Sequence, residues 1–135
     1  MAEELFLEVV TPQSAIVSEE VQIVVAPGSE GEFGVLKGHT AFLTSLKIGT
    51  LRYKDANGKE RFLFINQGFA EVLPDKVTIL AESAERRKNI DVERARGAKD
   101  RAEKRLAGKT ADTDFLRAEI ALRRAVQRLS IKGIN

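Results

Sequence analysis

Three stretches carry side chains that could do chemistry. The first runs from Gly28 to Thr40 and holds Gly28, Gly31, Gly34 and Gly38. Glycine at that density points to tight turns and close backbone approach. It does not make a phosphate loop, because no Gly-Lys-Ser/Thr is present and the spacing is not Gly-x-Gly-x-x-Gly opening a helix. The second is His39, the single histidine of the chain. One histidine excludes a multi-histidine metal site. As a general base it would need a paired nucleophile, and the sequence shows none, so a turn histidine with a satisfied ring is the better reading. Glu30 and Glu32 beside it read as a solvated rim or as a contact for a partner. The third stretch is the basic C-terminal segment, where Arg117, Arg124 and Arg128 fall on one side of a helix and Arg124 and Arg128 stand one turn apart. Like charges at that spacing repel, and Glu119 is the only acid there beyond the capping region. Such a face is solvated or meets an anion: a polyanion, an acidic protein surface or a nucleoside triphosphate. The absence of cysteine removes disulfides, thiolate metal sites and thiol catalysis. The residues supply no catalytic constellation and no metal site.

The elements that position these residues change character near Glu85-Arg86-Arg87-Lys88-Asn89-Ile90-Asp91. Before that point apolar residues alternate and β-branched residues, glycine and proline recur. The segments 5–10, 15–18, 21–26, 41–48, 49–54, 61–66, 68–73 and 76–81 read as strands, with Asn57-Gly58 expected to form a type I′ hairpin turn. Strands separated only by turns argue an antiparallel sandwich or barrel. After that point the period becomes helical. Asp91 is a good N-cap, followed by an apolar stripe of Val92, Ala95, Ala98, Ala102 and Leu106. Gly97 weakens this helix by about 1 kcal/mol relative to alanine, and Gly108 is placed to end it. The segment Thr110 to Asp114 offers N-caps for a second helix, with a stripe of Phe115, Ala118, Leu122, Ala125, Val126 and Leu129. Charge changes sign at the same place: residues 1–85 hold 7 Lys+Arg against 13 Asp+Glu, and residues 86–135 hold 15 against 7. The expected architecture is an all-β antiparallel β-sandwich over 1–85 followed by a two-helix antiparallel hairpin over 86–135, α+β overall. So much alanine in the first stripe implies modest buried area and a hairpin able to detach. No apolar run approaches the roughly 20 residues that span a bilayer, and the acidic start Met1-Ala2-Glu3-Glu4 is unlike a secretory signal, so a soluble, cytosol-facing chain is expected.

With these residues laid out, the chain resembles the epsilon-subunit family of F-type ATP synthases over essentially its whole length. Gly31-Glu32-Phe33-Gly34-Val35-Leu36-Lys37-Gly38-His39-Thr40 is similar to that family's Gly-x-x-Gly-(Ile/Val)-Leu-Pro-Gly-His loop, departing at Lys37 where proline is usual. Ile90-Asp91-Val92-Glu93-Arg94-Ala95 matches the (Ile/Leu)-Asp-x-x-Arg-Ala motif tied to ATP binding in some bacterial members, and the segment 123–129 resembles the second-helix half of the same site.

The resemblance implies a non-catalytic central-stalk subunit of the rotor that couples proton flow to ATP synthesis. It would sit at the cytoplasmic face of the bacterial inner membrane, attached only through the complex. Its sandwich would bind the gamma subunit and the c-ring, with Glu32 and His39 at the c-ring. Its hairpin would be a mobile arm that, when extended, reaches the alpha and beta catalytic subunits and restrains ATP hydrolysis. ATP would be a regulatory ligand rather than a required cofactor, held by Ile90, Asp91, Arg94 and Ala95 with Arg124 and Arg128, and with Glu85 and Arg101 at the spacing of two further contacts. Two rivals rank below it. A free-standing nucleic-acid-binding module built on the Arg-rich hairpin is opposed by the acidic sandwich and by the scarcity of stacking aromatics. A small hydrolase or isomerase built on His39 lacks a partner for that histidine.

Overall fold

Full burial of Leu5, Leu7 and Val9 with partial exposure between them makes Leu5–Val10 the first strand, β1. The structure is a computed structural model that describes residues 5–108 and 114–134. Six further strands follow: β2 (Ala15–Gly28), β3 (Gly31–Val35), β4 (Phe42–Leu46), β5 (Gly49–Asp55), β6 (Glu60–Leu73) and β7 (Lys76–Arg86). They run in the order β1-β7-β6-β4-β2-β3, with β5 joining β2 to β6 and β1 also pairing with β2. The pairings are antiparallel except β1 with β7, which run parallel from Phe6/Lys76 to Val10/Leu80. The inward side chains meet in one core that includes Leu7, Val24, Leu51, Leu63, Ile65 and Ile79.

Several expected strands prove to be halves of longer ones. The segments 15–18 and 21–26 belong to the single 14-residue β2, whose register shifts between Val21 and Ile23. The segments 61–66 and 68–73 are likewise one strand, β6, interrupted by Gln67 (φ 56°) and Gly68 (φ 150°). A bulge bends a strand without ending it, so each long strand serves both layers of the sandwich. Gly68 is required there, since a Cβ would collide with the Leu80 carbonyl oxygen. The stretch after Gly28 is not wholly loop: Gly28 and Gly31 flank a two-residue turn and 31–35 is β3. Nor is the Asn57-Gly58 turn of type I′. Gly58 has φ 81°, but Gln67 is the only non-glycine with positive φ among the described residues. Instead the Asp55 carboxylate accepts from the backbone N–H groups of Asn57 (3.0 Å) and Lys59 (2.9 Å) and from Arg61 Nε (3.2 Å). This side-chain clasp builds a longer turn that leaves Asn57 at ordinary φ. Those bonds, the Lys59 N–H first, hold the Asp55 carboxyl below its usual range.

The sandwich unit ends at a pin. Arg86 Nη1 donates to the Tyr53 hydroxyl (3.2 Å) and Nη2 to the Ile16 carbonyl (3.0 Å), with Glu19 at 3.9 Å. Burial pushes the Tyr53 hydroxyl above its usual pKa, with the Arg86 hydrogen bond pulling the other way. Arg86 thus ties the end of β7 to β2 and β5, and the chain divides into two compact units after Arg87.

The second unit is helical, with α1 (Val92–Ala107) and α2 (Phe115–Ile131). Asp91 caps α1 by accepting from the Arg94 N–H (3.1 Å), and Asp114 caps α2 by accepting from the Arg117 N–H (3.0 Å). The other caps considered, Thr110 to Thr113, lie outside the described residues. The Gly108 N–H donates to the Lys104 carbonyl and closes α1. The helices pack on each other, and the short link between them makes the pair an antiparallel hairpin. Ala95, Ala102, Ala118, Ala125 and Leu129 are buried. Phe115 and Val126 are not part of that seam: they are 43% and 45% exposed, and Ile131 is buried instead. Val126 follows Ala125 by one 100° step, which carries it off the seam.

Candidate functional site

The loop edge of the sandwich is organised by three rings. Phe33 packs against the core and meets Phe42 of β4 edge to face, with centroids 5.2 Å apart and planes at 73°. Phe42 in turn lies 5.2 Å from the His39 ring. The chain Phe33–Phe42–His39 therefore brings the neighbourhood of Glu32 and His39 to one edge. His39 Nδ1–H donates to the Thr40 carbonyl at 2.8 Å, which assigns the proton to that nitrogen when the ring is neutral. The His39 N–H donates to the Leu36 carbonyl (3.2 Å), and Gly38 sits at φ 87° in the third position of that turn. This is a type II pattern in which the second position, here Lys37, suits proline. The proline-to-lysine departure therefore leaves the turn standing on Gly38, whose N–H donates to the Pro74 carbonyl at 2.6 Å. Glu32 points outward and pairs with Arg52 at 3.5 Å.

A second surface escaped the sequence reading. On the outer face of the sheet, Val10 stands beside Leu80, Leu80 beside Phe69, and Phe69 beside Ser45. Leu80 and Phe69 are 54% and 56% exposed. They wall an open hollow of about 630 Å3 together with Val10, Pro12 and Leu46. A solvent-facing apolar groove of this kind marks an interaction site. The signal was present in sequence: Leu80 lies between the inward Ile79 and Ala81, and Phe69 precedes the inward Ala70, so these strands are apolar on both faces.

The residues singled out for ATP divide between the units. Glu85 is on β7, opposite Phe64. Ile90, Asp91, Arg94, Ala95 and Arg101 belong to α1 or its lead-in, and Arg124 and Arg128 to α2. Arg94 and Arg101 are exposed and two turns apart on α1, and Arg124 and Arg128 are half-buried one turn apart on α2. Ile90 (4% exposed) and Ala95 (3%) have side chains closed to solvent, so in this conformation they offer packing rather than polar contact. Asp91 spends one carboxylate oxygen on the Arg94 N–H. Arg124 also borders an open hollow of about 320 Å3 with Asp114, Leu116, Arg117 and Ile120. Among the described residues no group of three His, Asp or Glu side chains is placed to hold a metal ion. No helix among them is long and apolar enough to cross a membrane.

These features define a class: a β-sandwich with an exposed apolar groove, followed by a separate cationic helical hairpin, whose offered surfaces suit docking. Comparison with known proteins gives that class its family. Residues 4–87 match the model of the ATP synthase, Delta/Epsilon chain, beta-sandwich domain, and residues 88–133 that of the ATP synthase, Delta/Epsilon chain, long alpha-helix domain. The chain is 73% identical over 131 residues to the ATP synthase epsilon chain of Desulforapulum autotrophicum, covering 97% of each chain. It is 55% identical over 133 residues to that of Nitratidesulfovibrio vulgaris strain Hildenborough, covering 98% of each. Among solved structures it is similar to a chain of the Euglena gracilis mitochondrial ATP synthase, OSCP/F1/c-ring in rotational state 1, with TM-score 0.83 and 26% identity, covering 95% of this chain and 81% of that one. The chain belongs to the ATP synthase delta/epsilon family.

Proposed function

We propose that this chain is a non-catalytic subunit of the rotor stalk of a proton-translocating F-type ATP synthase. The sandwich docks on the gamma subunit through the groove around Phe69 and Leu80, and rests its Glu32–His39 edge on a polar loop of the c-ring. The complex holds it peripherally at the cytoplasmic face of the bacterial inner membrane. The helical unit acts as a movable arm: extended, its arginines meet acidic surface on the alpha and beta catalytic subunits and restrain ATP hydrolysis. The observation that carries this reading is the division of surfaces within one chain, an apolar groove and an acid-plus-imidazole edge on the sandwich, and a cationic face on a separate pair of helices. ATP favours the folded hairpin through Asp91, Arg94, Arg101, Arg124 and Arg128, with Ile90 and Ala95 as packing beneath them, to the extent that it binds that form better. The nucleic-acid alternative gains no support. Phe115 is exposed, but a lone aromatic is no stacking platform.

The test is the ATPase activity of the assembled complex with the full chain and with residues 88–135 removed. Removal is expected to raise hydrolysis while the sandwich stays bound. Equal activity of the two assemblies would refute the inhibitory arm, and failure of the full chain to co-purify with gamma would refute the stalk assignment itself.

A further inference from the structure

We infer that Arg52 is a positioning residue for the c-ring contact, aiming the Glu32 carboxylate from two strands away. The inference rests on the reading of Glu32 as a c-ring contact. Its basis is the register across β3, β2 and β5. Gly34 lies opposite Val25, and Val25 lies opposite Arg52. Glu32 is two residues from Gly34 on β3, so it projects from the same outer face. Because position 34 carries no side chain, the lane across β2 is open. A Cβ built at Gly34 meets nothing nearer than 4.0 Å, only the Val24 carbonyl oxygen and the Val25 Cγ2. Arg52 crosses that lane and brings Nη2 to 3.5 Å from Glu32 Oε1. On its other side Arg52 stands opposite Phe62, so its stem has an apolar neighbour in register on each flank, a setting that restrains long side chains.

An exposed ion pair contributes little by itself, and its use here is orientation. Glu32 sits on a five-residue strand directly after a two-residue turn, and a carboxylate there has free rotamers unless something holds it. Phe33, packed inward beside it, fixes the backbone, and Arg52 fixes the head group. A carboxylate held in one direction presents a defined acceptor to a polar loop sliding against it, where a freely rotating one must be ordered on every encounter.

The experiment uses the whole ATP synthase in inverted membrane vesicles and reads protons pumped per ATP hydrolysed for Glu32→Gln, Arg52→Gln, Arg52→Lys and the Glu32→Gln/Arg52→Gln double variant. Thermal unfolding of each full chain verifies that the sandwich is intact. Arg52→Gln is expected to lower the ratio below that of the wild type. It should match Glu32→Gln, the double variant should be no worse than either, and Arg52→Lys should fall between wild type and Arg52→Gln. A loss in Glu32→Gln with wild-type behaviour in Arg52→Gln, or additive losses in the double variant, overturns the role of Arg52 and leaves the Glu32 contact standing. No loss in Glu32→Gln removes the contact and the inference with it.

Discussion

Phe69→Ala separates docking from folding. The side chain is 56% exposed in the groove. Phenylalanine offers roughly 150–250 Å2 in all, so about 110 Å2 remains for a partner to cover. At about 25 cal/mol per Å2 this is worth about 2–3 kcal/mol of binding, or roughly 30- to 150-fold in Kd. The part already covered, about 90 Å2 on the same scale, limits the loss of folding stability to about 2 kcal/mol, below the 3–5 kcal/mol typical of a fully buried ring. Titration of the full chain into a gamma-containing catalytic core by calorimetry at 25 °C measures the first quantity, and thermal unfolding followed by circular dichroism measures the second. Lys54→Ala, exposed on β5 outside the groove, serves as the control and should change neither. Binding of Phe69→Ala within about three-fold of wild type, equivalent to less than about 0.7 kcal/mol, would show that gamma does not use this groove.

Three further outcomes follow from the geometry. Arg94→Ala or Arg124→Ala should abolish the heat of ATP binding to the full chain; no heat with the wild type, or unchanged heat in both variants, would remove the nucleotide role and leave the stalk role intact. Gly68→Ala forces a Cβ into the Leu80 carbonyl at φ 150° and should cost about 3 kcal/mol or more, lowering Tm by roughly 12–24 °C; a shift under about 4 °C contradicts the bulge argument. Asp55 is held below its ordinary pKa in the folded state. Its ionised form therefore stabilises the sandwich above the unfolded carboxyl pKa, about 3.9, and that increment is lost as pH falls through the folded value. Denaturation curves of Asp55→Asn should show a shallower acid dependence than wild type, and identical slopes would refute the clasp.

Alternation located the strands because inward residues such as Leu5, Leu7 and Val9 obey it strictly, and the acid at 91 located the start of α1 because a capping carboxylate is a local device. What stayed hidden depends on more distant partners. Gln67-Gly68 looks like a strand break until Leu80 is known to pass directly beneath it. Asn57-Gly58 looks like a two-residue turn until Asp55 claims the N–H groups around it. Phe69 and Leu80 gave no sign of a groove in sequence because apolar alternation cannot say which face of a strand is covered. Phe115 and Val126 read as seam residues because a 3.6-residue period tolerates an error of one step. The motifs proposed for ATP and the c-ring are contiguous patterns in sequence, whereas the groove, spread over β1, β7, β6 and β4, has no contiguous stretch to announce it.

The parallel seam between β1 and β7 has a mechanical consequence. β7 is hydrogen-bonded along both edges, to β1 over Lys76–Leu80 and to β6 over Lys76–Arg86, and its final residue leads into the arm. A tug delivered there along the strand axis loads both ladders in shear, straining many cross-strand bonds simultaneously where an edge strand pulled sideways would peel one bond at a time. A part spun under torque is thereby held through a strand that is bonded on both edges, β1 on one side and β6 on the other.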